Sequence, residues 1–325
     1  MRKPAKTFSH LAPRGRMPTD YEVVTSKLLY HLDRGFEVPT SVSPFYEANR
    51  ESAAMRGRRW DDFRDPRVTT YSSYVHNRDR RECVVDGCLE ALDEPGYEAG
   101  LDPEWARSLE SFAALRYPMS GLQMLAAYVG HMAPSGSIAI ASAFQAADEM
   151  RRIQRIAYRI AQRRRSHPEF ASGSRATFES DPAFQPLRRI VERLLVTYDW
   201  SESLVATNVC LKPVFDELVM HGFADAARRA GDPMFGRVLD VLGEDCRWHR
   251  ELARSFVELA FASDDANRAV VDGFVRAWRP VAHDAARALA GALFGEGRDA
   301  RDASDAAVAA SDAMIRSFGT EVASS

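Results

Sequence analysis

With 325 residues, 46% of them hydrophobic, the chain can bury one large core or two modest ones. Its 43 basic and 46 acidic side chains leave a formal charge of −3, which argues against nucleic acid or an anionic membrane surface as partners. Arginine supplies every basic residue except Lys3, Lys6, Lys27 and Lys212, a bias that reads as genome composition rather than mechanism.

Cys83, Cys88, Cys210 and Cys246 form neither a CxxC pair nor a zinc spacing, so a reducing cytoplasm is expected. No segment has the apolar core of a signal peptide or approaches the roughly 18 consecutive apolar residues of a membrane span.

Residues 1–60 differ from the rest. Prolines 4, 13, 18, 39 and 44 argue for an extended or irregular arm rather than a long helix. Large apolar groups there, including Phe8, Leu11, Tyr21, Leu28 and Tyr30, are too many for a disordered tail. The arm therefore lies against something, either its own domain or a partner chain. Phe8, His10, Leu11, Tyr21, Leu28 and Tyr30 are the candidate contacts if a partner is covered. Basic residues at 2, 3, 6, 14 and 16 precede the first acid, a pattern also seen in transit peptides, but the aromatic content favours an interface arm.

From Trp60 onward the apolar period is helical. Stripes at three- and four-residue spacing run through Leu115, Met119, Leu122 and Ala126, through Val238, Leu242, Cys246 and His249, and through Val271, Val275, Trp278 and Ala282. The spacing predicts helices over about 66–92, 104–133, 137–166, 187–200, 201–229, 233–262 and 265–292, with no sheet. Asp232 is placed to cap, and Pro233 to begin, the helix at 233. The expected fold is an all-α, ferritin-like bundle over 61–293 with extra helices. An Ala/Asp/Ser-rich tail follows at 294–325, as a short helix or a frayed end.

Two near-motifs fall mid-helix in this bundle. Asp148-Glu149-Met150-Arg151-Arg152 and Glu244-Asp245-Cys246-Arg247-Trp248 each place a carboxylate where four-helix di-iron proteins carry Glu-x-x-His. The position three residues on is Arg152 in one and Trp248 in the other, and neither guanidinium nor indole can bind iron. Glu-x-x-His occurs nowhere, and residues 115–132 carry no acid to serve as a lone ligand. Glu149, Arg152, Asp245 and Trp248 thus read as the relic of a lost metal motif. Two readings of Arg152 stand: a solvated i,i+3 ion pair with Glu149, or a cation filling the vacated cavity. Glu217 and His221 share a helix face at the wrong, i+4 spacing, and His131 and His249 read first as core or helix-end residues.

The run Leu115-Arg116-Tyr117-Pro118-Met119-Ser120-Gly121-Leu122-Gln123-Met124, with Gln145-Ala146-Ala147-Asp148, Tyr198-Asp199-Trp200, Lys212-Pro213, Cys246-Arg247-Trp248 and Trp278-Arg279-Pro280, carries a family resemblance. So do Lys6-Thr7-Phe8-Ser9-His10-Leu11 and Trp60-Asp61-Asp62-Phe63-Arg64-Asp65-Pro66. Over about residues 5–290 the chain resembles the β subunit of bacterial multicomponent di-iron monooxygenases, nearest the toluene, alkene and isoprene branch.

The resemblance implies a subunit with no catalytic, metal or cofactor-binding residue of its own, beside an α subunit that holds the di-iron centre. It implies O2- and NADH-dependent alkene epoxidation or aromatic hydroxylation. Electrons would arrive through separate FAD and iron–sulfur components, a reductase and often a ferredoxin, and an effector protein and a γ subunit are further candidate partners. Two other classes remain open: a stand-alone di-iron oxidase with the unusual ligands Glu149, Glu202, Glu217, Asp245 and His249, and a helical scaffold without an oxygenase partner.

Overall fold

The structure, a computed structural model, describes residues 48–49, 52–57 and 59–319, within the compact unit Ala48–Ser325. The proposed contact residues Phe8, His10, Leu11, Tyr21, Leu28 and Tyr30 lie outside the described residues.

Helices build the described chain, and no strand occurs among the described residues. They are α1 (Tyr71–Ala91), α2 (Pro103–Ala113), α3 (Arg116–Met132), α4 (Gly136–Arg163), α5 (Ser174–Ser180) and α6 (Gln185–Leu195), then α7 over 200–229, α8 (Pro233–Ser263), α9 (Ala266–Phe294) and α10 (Arg298–Arg316). The hairpins α3/α4 and α7/α8 make the central bundle, α1 packs on α8, and α9 and α10 close the far side against α7.

Asp232 does what its sequence position predicts. It is fully buried, accepts from Phe235 N–H at 3.2 Å, and takes Tyr97 Oη at 2.8 Å and Trp105 Nε1 at 3.0 Å as further donors. One cap thereby ties the start of α8 to α2 and the loop before it.

Several elements depart from the sequence-based boundaries, among them the helix expected from about 66, which begins at Tyr71 after its Thr70 cap. The helix expected over 104–133 is two helices, broken at Ala114 and Leu115. Pro118 accounts for this: inside a continuous helix it would remove a backbone bond and press on the carbonyl of Ala114, whereas in the first turn of α3 its missing N–H is harmless. The helix expected over 187–200 stops at Leu195, and Asp199 caps α7 instead, accepting from Ser201 and Glu202 N–H at 2.8 and 3.2 Å. The segment set apart as a tail contains the 19-residue α10, whose Ala307, Met314 and Ile315 are buried, so the bundle continues well past residue 293.

Within α7, Lys212–Asp216 is α-helical between two π-helical stretches, Ala206–Leu211 and Glu217–Gly222. Pro213 lies one residue past the first. A wide turn there relieves the clash between its ring and the preceding carbonyls without breaking the helix.

Residues 52–57 and 59–63 form a strap along the bundle. Asn267 takes Arg56 N–H at 2.8 Å and donates to Arg56 C=O at 2.6 Å, and Asp199 Oδ2 accepts from Ala54 N–H at 2.7 Å. Trp60 stacks on Phe256 at 5.4 Å and meets Trp200 edge-on at 5.5 Å.

Candidate functional site

The chemistry-bearing side chains gather where α4, α7 and α8 meet, with α1 outside them. On α4, Asp148 and Glu149 are adjacent and must point to different sides of the helix; on α8 the same holds for Asp245 and Cys246. One member of each pair faces α1 and the other faces the bundle interior.

The α1 side is an arginine–carboxylate lattice. Arg78 grips Asp148 with two bonds, Nε to Oδ1 and Nη2 to Oδ2, each 2.6 Å, and its Nη1 lies 3.3 Å from Asp245 Oδ1. Asp245 is also paired with Arg81, and with Arg151 Nη1 at 2.6 Å. Arg151 and Arg155 share Glu82, and Arg155 reaches Asp86 at 2.8 Å. Tyr74 Oη donates to Asp148 Oδ1 at 2.8 Å.

The interior side is a tetrad of two acids and two cations. Lys212 Nζ is 2.7 Å from Glu149 Oε1 and 3.0 Å from Asp216 Oδ2. Arg152 pairs with Glu149 one turn back on α4 and places Nη1 2.8 Å from Asp216 Oδ1 and 3.2 Å from Cys246 Sγ. All four charged side chains are 0–1% exposed, so the Glu149–Arg152 pair is a core interaction and not the solvated surface pair that was one reading of its spacing. His249 joins the two sides: its Nε2 is 3.1 Å from Asp148 Oδ2 and its Nδ1 4.0 Å from Glu149 Oε1.

Protonation follows from burial set against these partners. Burial raises Asp216, but Lys212 and Arg152 outweigh it and hold the carboxyl well below its usual range. Asp148 likewise is pushed up by burial yet held low by His249 and Arg78. Asp245 goes the other way, because burial and the nearby Asp148 charge exceed the pull of its arginines. Burial also lowers His249, keeping it neutral at pH 7, and raises Cys246, keeping it a thiol. Lys212 loses some proton affinity to burial and to Arg152, but Asp216 and Glu149 raise it overall, so it stays an ammonium.

The sequence-predicted residues are thus partly brought together. Glu149 and Arg152 meet in the tetrad. Asp245 stands in the arginine lattice, and Trp248 faces away, donating Nε1–H to Asp65 Oδ1 at 2.9 Å. The α8 residues that face Glu149 and Arg152 are Cys246 and His249, one position later than the near-motif suggests, also at i,i+3 spacing. The alternative ligand set does not assemble: Glu202 accepts from Trp278 Nε1 at 2.8 Å, and Asp245 is held by arginines.

Lys212 and Asp216 are members of the tetrad to which neither near-motif points. Their signal is a Lys/Asp pair at i,i+4 inside the stretch Val209–Met220, whose one other charged residue is Glu217.

Among the described residues no group of three or more His, Cys, Asp or Glu side chains is disposed to hold a metal ion. The residues present do not fit a di-iron group, since two permanent cations stand between the carboxylates that would bind it.

Known proteins place this arrangement. The family described as Methane/Phenol/Alkene Hydroxylase matches residues 41–264, well over half of the chain. The β subunit of the toluene-4-monooxygenase hydroxylase component of Ectopseudomonas mendocina is 29% identical over 296 residues, 88% of this chain and 90% of that subunit. The small subunit of the propane 2-monooxygenase hydroxylase component of Mycolicibacterium goodii is 26% identical over 300 residues, covering 88% and 80%. A solved structure of toluene 4-monooxygenase with toluene in its resting active site contains a chain that superposes with TM-score 0.76 at 27% identity, over 90% of this chain and 99% of that one. Xenon-pressurized phenol hydroxylase from Pseudomonas sp. OX1 shares the fold, with TM-score 0.79 at 20% identity over 99% and 98%. The chain belongs to the methane/phenol/alkene hydroxylase family, as a β subunit of the hydroxylase component.

Proposed function

We propose that this chain is the non-catalytic β subunit of a soluble, cytoplasmic di-iron hydrocarbon monooxygenase, and that it supports an iron-bearing α subunit. The activity of the assembly is O2- and NADH-dependent epoxidation of an alkene or hydroxylation of an aromatic ring. The observation that carries the reading is the tetrad: Arg152 and Lys212 occupy the space between Glu149 and Asp216. Cys246 and His249 stand in the i,i+3 register where a partner Glu-x-x-His would face them.

On this reading Glu149 and Arg152 are the relic of one metal motif. The other relic is Cys246 and His249, in place of the Asp245 and Trp248 suggested by sequence alone. The α subunit holds the di-iron centre, and separate FAD- and iron–sulfur-bearing components deliver electrons from NADH. The remaining partners implied are a γ subunit, an effector protein and a reductase or ferredoxin. The N-terminal segment bearing Phe8, His10, Leu11, Tyr21, Leu28 and Tyr30, with one face of the helices over 104–166, covers α in an interface of obligate size, above about 2,000 Å².

The test is co-expression with an iron-bearing hydroxylase subunit from the same source and product analysis on propene, isoprene and toluene, with the electron-transfer components supplied. Turnover should require both subunits, and deletion of residues 1–30 should abolish co-purification. Turnover by this chain without the other hydroxylase subunit would overturn the proposal.

A further inference from the structure

Four side chains with metal-donor chemistry, Glu149, Asp216, Cys246 and His249, converge in the core from α4, α7 and α8. Carboxylate, thiolate and imidazole are the groups that zinc, cobalt and iron take as ligands. Two cations are interleaved among them. Arg152 touches Glu149, Asp216 and Cys246, and Lys212 touches Glu149 and Asp216. A second observation points to the same spot. His249 is 1% exposed, and its Nδ1 has no hydrogen-bond partner among the described residues while lying 4.0 Å from Glu149 Oε1.

We propose that Arg152 and Lys212 are built-in counter-cations that close this donor set to divalent metal ions. The inference rests on the reading of the chain as a metal-free subunit and adds the device that keeps it so. The charge balance supports it. Glu149 and Asp216 contribute two negative charges and Arg152 and Lys212 two positive ones, so the interior needs no ion for neutrality. An entering divalent ion would confront both cations at contact range without water to screen them. Arg152 cannot step aside by losing its proton. Its place in the protein also matters: it is one turn from Glu149 on the same helix, so the backbone holds the two side chains within reach of each other. Without the two cations Glu149 and Asp216 lose the cations they touch, Asp216 keeping only the influence of Arg250, and a divalent ion can take their place. In a hydroxylase that also contains an iron-binding subunit, such closure directs metal to that subunit alone.

The experiment compares the full-length wild-type chain with Arg152→His/Lys212→Met, each purified in the form in which it accumulates, with its companion subunit if one is needed. Both are stripped with chelator and titrated with Co2+. The double variant should bind one additional Co2+ per chain and develop thiolate-to-cobalt charge-transfer absorption, and adding Cys246→Ser should remove that absorption, assigning it to this site. Wild type should show no such band. If the double variant is unfolded without metal, Co2+ should restore its helical circular dichroism, and Mg2+, which avoids thiolate and imidazole, should not. A folded variant that binds no more cobalt than wild type, or an unfolded one that cobalt fails to rescue, overturns the inference. A thiolate–cobalt band in the wild-type chain would instead overturn the metal-free reading beneath it.

Discussion

Lys212 Nζ stands 2.7 Å from Glu149 Oε1 with both side chains closed to solvent, so each charge depends on the other in place of water. Removing Lys212 leaves Arg152 alone against both Glu149 and Asp216, one buried negative charge in excess. Lys212→Met should destabilise the chain by about 3–5 kcal/mol, the typical cost of an uncompensated buried charge. Neutralising all four members together, as Glu149→Gln/Arg152→Met/Lys212→Met/Asp216→Asn, should cost far less than the sum of the single changes. Urea midpoints for the set measure this, and additive losses would show that the tetrad does not act as a unit.

His249 makes stability fall on mild acidification. Its folded pKa is lowered by burial and by Lys212, against the Asp148 hydrogen bond and the Glu149 charge. The unfolded chain therefore takes up a proton below roughly pH 6.5 that the folded chain resists, and stability declines as pH drops through that value. Asp148 and Asp216, with lowered folded pKa values, contribute stability that is complete above about pH 4 and is lost as pH falls below it; raised Asp245 works in the opposite sense. His249→Gln should flatten the urea-midpoint profile between about pH 7 and 5 by up to ~1.4 kcal/mol per pH unit, and should shrink but not remove the acid limb, because Asp148 loses one of the partners that hold it low while Asp216 keeps its own. His283, also lowered by burial, supplies a residual slope. An unchanged profile would remove His249 from this role.

Asn267 satisfies both backbone groups of Arg56, so Asn267→Ala should release the strap at 52–57 while the bundle stays folded. Two orphaned backbone groups correspond to about 1–3 kcal/mol of local stability. Hydrogen exchange should speed up in that segment and not in α8. Uniform acceleration would mean that the strap and bundle unfold together.

Gly121 on α3 approaches α6 so closely that a Cβ there would lie 2.3 Å from Val191 Cγ1. Val191 is buried and β-branched and has little freedom to turn away. Gly121→Ala should therefore cost about 1–3 kcal/mol by overpacking, and Val191→Ala in the same chain should restore part of it. Thermal unfolding of the four-member cycle would reveal the coupling, and strict additivity would refute the contact.

Much of this architecture is legible in the residues. The three-and-four spacing locates most helices, and Asp232-Pro233 marks the start of α8 because capping and fixed φ act locally. The ends that sequence misplaces depend on Pro118 being tolerated in a first turn and on Asp199 outcompeting its neighbours as a cap. Helix α10 is obscured by composition, since alanine and aspartate look like a solvated tail until Ala307, Met314 and Ile315 meet α9 and α7.

The site divides in the same way. The mid-helix positions of both near-motifs are plain, but rotation about the α8 axis is not. Asp245 and Cys246 are adjacent and both buried, and only packing against α1 decides that the aspartate turns to the arginines and the cysteine to the tetrad. Arg78 and Arg81 are invisible as site residues because, in a chain so rich in arginine, nothing local distinguishes a lattice member from a solvated one.

The two wide turns of α7 fix the phase of everything after them. Each lets the chain carry a surplus residue along a single rod, and the first sets the azimuth of Lys212 and Asp216 by a local miscount and not by the pitch of an ordinary helix. Were residues 206–211 wound at the ordinary α pitch with none removed, the downstream side chains would swing by about 100°, carrying the ammonium out of reach of α4.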